Sequence, residues 1–463
     1  MLPTWLGSDY TDGKVPKKNR HRCVMTTSQQ VFALMLGWTL VPFIGAAQEV
    51  PLSKPGTMRG GTENLGDLLF LSEPVRSNET DIAAPIDEPL SLVSGDKAAG
   101  RGRWRVEPHL LVKGTYDDNI FILPDNRVSD YVLTFAPGLG IGFWNSNEAR
   151  ERFLDYRRGL TVADRSEGSF IAMDYTAFLL GFARTSSLNT INHDARFDAR
   201  WEGEKLKVGA SFRYESKLET NADPGRLVTL KTLSAAITSR YQLTHKTGLE
   251  LGIYHQTNRP EGFVNTVEWR GEGFLDYTAT PRARFGFGTA GGRLEVDSGS
   301  DQVFERFLAR AVYSPSNKLE AELRGGVEFR QSVQPGDRSY PIFDFRARWS
   351  PAAGTRIGFN AFRNVNKSIY QPDRDYTLTG FTLTFERAIL SRLVLSLEGG
   401  YHVASYIGEA RSDDYFFISP GLSYALGTWG SIGVSYKYQQ NASNRAQSSF
   451  EANQVTVEAA LKF

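Results

Sequence analysis

The amino-acid sequence predicts an all-β fold, a closed antiparallel transmembrane β-barrel of about 18 strands, with 16 to 20 as the bracket. Three observations point there. At the carboxyl end, Val455, Val457, Ala459, Leu461 and Phe463 alternate with Thr456, Glu458, Ala460 and Lys462, giving one apolar and one polar face. From Trp104 onward the same period of two recurs, with charges on every second position of several segments. No apolar run past the amino-terminal segment is long enough for a membrane helix, so strands closed into a ring must do the crossing.

The amino terminus reads as an export signal. Lys14, Lys17, Lys18, Arg20 and Arg22 precede an apolar run from Val31 to Ile44, and Gly45-Ala46-Ala47 supplies the small residues before a cleavage point. A run of about 14 apolar residues, broken by Pro42, falls short of the roughly 20 that span a bilayer. Residues 1–47 are therefore expected to be a cleaved signal peptide. Cys23 is the only cysteine and lies within it, which leaves no thiol for a disulfide or a thiolate metal site in the mature chain. Residues 48–103 follow with Pro51, Pro55, Pro74, Pro85 and Pro89 and no sustained period, as expected of a largely disordered periplasmic tail.

Charge excludes one class of partner. With five basic and two acidic residues in the leader, 48 basic and 50 acidic side chains remain beyond it, a net charge of −2. Nucleic-acid binding needs a strong basic surplus, and none is present.

Residues 104–463 form the expected barrel. The strands fall at 104–116, 129–143, 168–182, 192–203, 205–216, 228–243, 248–257, 263–278, 282–296, 303–313, 319–331, 340–350, 355–366, 375–387, 392–406, 414–426, 429–440 and 450–463. Between 319 and 331, Leu323, Val327 and Phe329 alternate with Glu320, Glu322, Arg324 and Glu328; between 340 and 350, Phe343, Phe345 and Trp349 alternate with Asp344, Arg346 and Arg348. A charge on every second residue cannot face lipid, so Arg213, Glu320, Glu322, Arg324, Asp344, Arg346, Arg348, Arg356 and Glu398 are the expected pore-lining set. Gly326 and Ser396 share the inward row, where an added charge should be tolerated. Between 145 and 168 the period fails, and the segment from Glu148 to Arg158 is highly charged.

Tyr116-Asp117-Asp118-Asn119-Ile120-Phe121, followed by Tyr131 to Gly142 with its Ala136-Pro137-Gly138, resembles the opening of an outer-membrane beta-barrel porin family associated with exopolysaccharide systems. The likeness continues as pattern over about 360 residues. It implies a Gram-negative outer-membrane barrel and a link to surface polysaccharide. It also implies that the terminal row of Val457, Leu461 and Phe463 is an assembly signal read by the barrel insertion machinery.

Other constellations favour plainer readings. Asp117, Asp118 and Asn119 lack the spaced oxygens of a dedicated Ca²⁺ loop and read as a hydrogen-bonded turn. His193 and Asp194 are strand neighbours and point to opposite faces, with no serine elbow beside them, so no enzymatic activity is expected. The remaining histidines show no ligand spacing, and no metal or cofactor is expected. Trp104, Trp144, Trp201, Trp269, Trp349 and Trp429 lie near strand ends, as at a bilayer interface. Tyr254, Phe274 and Phe362 fall on the inward row, where aromatic faces could stack sugars.

The combined reading is a porin-like channel in contact with lipid and lipopolysaccharide, passing small hydrophilic solutes or serving a polysaccharide pathway; a non-conducting surface barrel and a rim hydrolase are the alternatives. Deleting Phe463, or replacing it with a charged residue, should lower outer-membrane yield, measured as the heat-modifiable folded species in outer-membrane fractions.

Overall fold

A computed structural model describes residues 103–144, 169–316, 318–331, 338–427 and 429–463. The expected signal peptide, the tail up to residue 102 and the irregular stretch 145–168 lie outside the described residues. Eighteen strands are present: β1 (Arg103–Asp117), β2 (Asp130–Trp144), β3 (Phe170–Phe182), β4 (Thr190–Glu202), β5 (Leu206–Asn221), β6 (Arg226–Gln242), β7 (Thr247–Pro260), β8 (Thr266–Thr280) and β9 (Ala283–Val296). The second half comprises β10 (Gln302–Ser316), β11 (Leu319–Gln331), β12 (Arg338–Trp349), β13 (Thr355–Lys367), β14 (Asp375–Leu390), β15 (Leu393–Tyr406), β16 (Ser412–Ala425), β17 (Gly430–Ser443) and β18 (Phe450–Lys462). Each pairs antiparallel with its sequence neighbours, and β1 pairs with β18 from His109 opposite Lys462 to Asp117 opposite Gln454. The ring is closed, so no edge strand remains. All 18 expected strands are found, with ends displaced by a few residues; β5 runs to Asn221, where it is still paired with Arg226 of β6.

The alternation follows from what lies on either side of the wall. Leu133, Phe285, Phe287, Phe307, Leu323, Phe329, Ile432 and Val457 expose their side chains on the outer face. Lipid replaces the protein core there, and apolar side chains are stable in it. Trp104, Trp201, Trp349 and Trp429 are exposed near the end that carries the two- to five-residue turns, and Trp269 near the opposite end, which places amphipathic rings at both rims.

One inward position departs from expectation. A Cβ on Gly326 would stand 1.8 Å from the carbonyl oxygen of Phe307, so this residue must stay glycine and cannot take a lumen charge. Ser396 is half-buried on the inner row. Leu323→Arg or Phe345→Arg should cost about 2–4 kcal/mol near the bilayer midplane, while Ser396→Arg should cost far less. Urea unfolding in lipid vesicles measures the difference, and a reversed order would mean the inner and outer rows are exchanged.

Candidate functional site

The inner face is a lattice of opposite charges. On β10, Arg306 Nε donates to Glu328 Oε2 of β11 at 2.7 Å, and Arg330 Nε donates to Oε1 of the same carboxylate at 2.7 Å. Arg330 reaches Gln302, whose amide donates to both oxygens of Asp375 on β14, where Lys367 also binds at 3.2 Å. Both guanidinium groups lie over the ring of Phe304. Arg310 is held between Asp276 at 2.6 Å and Glu250 at 2.8 Å, against the face of Phe274. Farther round the ring, on β4 and β5, Asp194 pairs with Arg196 and Arg213, and Arg213 continues to Glu215. Charges this poorly hydrated are stable only when paired and hydrogen-bonded, which the interleaving of opposite signs on the inner face achieves.

The expected pore-lining residues all sit on this inner row. Arg324 pairs with Glu272, Arg346 with Asp344, Arg348 with Glu320 and Arg356 with Glu386. Glu322 shares the row of Arg324, and Glu398 is buried on β15. Glu328, on the charged row the alternation of β11 predicts, belongs to the same lattice, as do Arg306, Arg310, Asp276 and Glu250, which escaped the sequence reading. On β10 the inner row mixes Phe304 and Leu308 with its arginines while Glu305 faces outward, so neither row looks polar. For β8 the signal was present, since Glu268, Arg270, Glu272 and Asp276 alternate with Val267, Trp269 and Leu275.

Access differs between the two ends. Toward the short turns, Arg348 and Arg356 keep 35% of their side-chain surface open and Glu386 keeps 50%, so a wet vestibule lies there. Toward the other end, inward Glu328, Phe274, His402, Tyr415 and Gln439 have 2% or less. The cause is an infolded hairpin. The β12–β13 ladder stops at Phe343 opposite Arg363, although β12 continues against β11 to Arg338 and β13 continues against β14 to Lys367. Beyond this point Val365, which strand parity assigns to the outer row, is 1% exposed and packs with inward Phe274, Ala290, Leu308 and Ile342. Asp375 to Leu378 are buried in succession on both faces. The tip, 368–374, reaches the β7–β8 loop, where Val264 N–H donates to Ile369 O, and the β5–β6 loop at Asp223.

Tyr116, Asp117, Asp118 and Asn119 stitch the closure seam. Asp118 accepts two hydrogen bonds from Asn453 at 2.7 Å, Gln454 donates to Asp117, and Asn119 donates to the carbonyls of Leu123 and Glu451. Tyr116 packs on Tyr131 across β1 and β2. At the far end of the seam Phe463 exposes its ring while its N–H donates to Pro108 O, Val457 faces outward and Leu461 is half-buried. His193 faces out against the Tyr175 hydroxyl, and Asp194 faces in. Among the described residues no group of three potential ligands could hold a metal ion. Phe274 and Phe362 lie on the inner face but are covered, by Arg310 and by His402, and present no free face to a sugar.

A family model described as "Putative beta-barrel porin 2" matches residues 315–463. No curated protein matches the sequence. Among solved structures, OccK2 (OpdF) of Pseudomonas aeruginosa in complex with glucuronate is similar at 11% identity and a TM-score of 0.42, over 77% of this chain and 98% of that one. Pseudomonas aeruginosa opdK is similar at 8% identity and 0.41, over 78% and 99%, and Acinetobacter baumannii OccAB4 at 10% and 0.41, over 78% and 98%. Over residues 315–463 the chain is similar to that porin family, and its described residues form a closed antiparallel β-barrel of 18 strands. Glu328→Gln should cost about 3–5 kcal/mol, because it leaves two buried guanidinium groups without their shared carboxylate; heat-modifiable mobility measured against temperature reads the loss.

Proposed function

We propose that the protein is a passive outer-membrane channel for small hydrophilic solutes, with residues 1–47 as its export signal and the row ending at Phe463 as its insertion signal. The observation that supports this best is the paired-charge inner face around a water-accessible vestibule inside a closed wall. A structural barrel gains nothing from interior ions, since well-packed apolar residues of similar volume would be at least as stable. A conduit needs a polar surface that solutes can slide along. Because both signs are interleaved along and across the strands, the lumen has no single-sign field to steer one kind of ion.

A role in surface-polysaccharide export or uptake rests on the resemblance of the first hairpin. Phe274 and Phe362 are covered and Arg270 lies over the ring of half-buried Tyr254, so the three candidate rings form no open stacking track and small solutes are the better fit.

Purified, refolded protein should conduct in planar bilayers with weak ion selectivity. Replacing Arg324, Arg346 and Arg348 together with Gln leaves Glu272, Asp344 and Glu320 without their partners, and reversal potentials across a salt gradient should move toward cation preference. Strong selectivity in the unmutated protein, or no shift in the triple variant, would overturn this picture of the lumen.

A further inference from the structure

In the ring of 18 strands the β5–β6 and β13–β14 hairpins stand nearly opposite each other, yet their loops meet. One carboxylate joins them. Asp223 Oδ2 accepts hydrogen bonds from Ser368 Oγ at 2.8 Å, Ile369 N at 2.8 Å and Tyr370 N at 3.2 Å. Its Oδ1 accepts from the Tyr406 hydroxyl at 2.8 Å and lies 3.6 Å from Arg411 Nη1. Arg411 also donates to the carbonyls of Asp223 and Ala222, is fixed by Asp413 at 2.6 Å, and lies over the ring of Tyr406. Burial alone would lower the pKa of Arg411, but its hydrogen bond to Asp413 and the surrounding negative charge raise it, so the cation stays charged. Gly225, at φ +65°, turns the β5–β6 loop so tightly that a Cβ there would stand 3.3 Å from Gln447 O of the β17–β18 loop. Ala222 packs with Ile122 of the β1–β2 loop against Tyr415 and Phe417.

Resting on the channel reading, we propose that this contact is a releasable latch: Asp223 holds the infolded β13–β14 hairpin across the lumen and shuts the mouth opposite the short turns. Two features make the hairpin movable. Its hinge is already present, at the end of the β12–β13 ladder between Phe343 and Arg363. Its alternative position is also present, because β13 continues past the last described β12–β13 pair, so a hairpin swung back to the wall would lie against β12 again, with Pro341 contributing no N–H to the pairing. The closed arrangement trades those ladder bonds for the Asp223 cradle, the Val264–Ile369 bond and the packing of Val365. Opening reverses the exchange, so backbone bonds lost in one state are offset in part by those gained in the other. A bistable element of this kind needs only a few contacts to tip it.

The test is single-channel recording of the full chain refolded into planar bilayers. Hydrogen bonds to a charged group are worth enough that Asp223→Ala should shift the closed-to-open ratio at least about tenfold toward the conducting state. Arg293→Ala, which breaks an exposed pair with Asp301 at the same mouth but keeps the bond from Val296 N to Asp301, should leave the traces unchanged. Should Asp223→Ala fail to insert, Ser368→Ala and Tyr406→Phe each remove one donor and should raise the open fraction in smaller steps. Asp223→Cys with Ser368→Cys, in a Cys23→Ser background, should remain shut when oxidised and conduct when reduced. A conducting unmutated protein with Asp223→Ala indistinguishable from it, or an oxidised cross-linked pair that conducts as freely as the reduced one, would overturn the latch and leave the channel reading intact. No conductance in any variant, from barrels shown to be folded by heat-modifiable mobility, would overturn both.

Discussion

The constraint on which everything else depends is that a backbone in hydrocarbon must satisfy all its hydrogen bonds internally. For an extended chain this means a partner on both sides of every strand, and therefore a first strand that meets the last. The β1–β18 ladder is that meeting, and it explains the investment in side-chain stitching around it. Asp117, Asp118 and Asn119 extend the seam beyond the ladder through Gln454, Asn453 and the carbonyl of Glu451. Hydrogen bonds to charged carboxylates are among the stronger ones available, and this is the joint where separation would expose two strand edges at once.

Closure also creates an inside, and a ring this large does not fill itself with aliphatic side chains. The protein fills part of it with ions. Guanidinium groups find carboxylates on the same strand, on the next one or across the lumen face, as Arg310 finds Asp276 and Glu250, and aromatic faces such as Phe274 and Phe304 shield the pairs from one side. The remaining space at one end is taken by the chain itself, in the hairpin that parts from β12 beyond Arg363 while staying paired with β15.

Most of the wall was legible in the sequence because lipid and water impose opposite demands on alternate residues. Strands such as β11, with Leu323 and Phe329 against Arg324 and Glu328, announce their period without ambiguity. The strand count and the inward direction of all nine expected lining residues follow from it. Less legible was β10, where buried Phe304 and Leu308 share a face with Arg306 and Arg310 because the lumen there is packed rather than wet. The infolded hairpin was invisible, since Val365 obeys the parity of an outward residue and only the loss of its neighbour on β12 sends it inward. The partners of Asp223 lie 145 to 188 positions away in sequence and follow no local period. Gly326 shows a related limit: a glycine in an alternating row looks permissive, while the closeness of Phe307 on the adjacent strand makes it obligatory.

The seam between β1 and β18 has a further consequence for how the molecule comes into being. Asp118 and Asn453 are 335 positions apart, so the contact that seals the wall is among the most non-local the chain can make. Folding rates fall as contacts become more distant in sequence, because the loop-closure entropy must be met before the contact rewards it. Seventeen strands can zip to their neighbours in the order they are made, but the growing sheet keeps two raw edges until β18 arrives. During that interval the intermediate is at its most vulnerable to pairing with another chain. Speed of the last step, rather than strength of the finished wall, is then what separates a productive barrel from an aggregate.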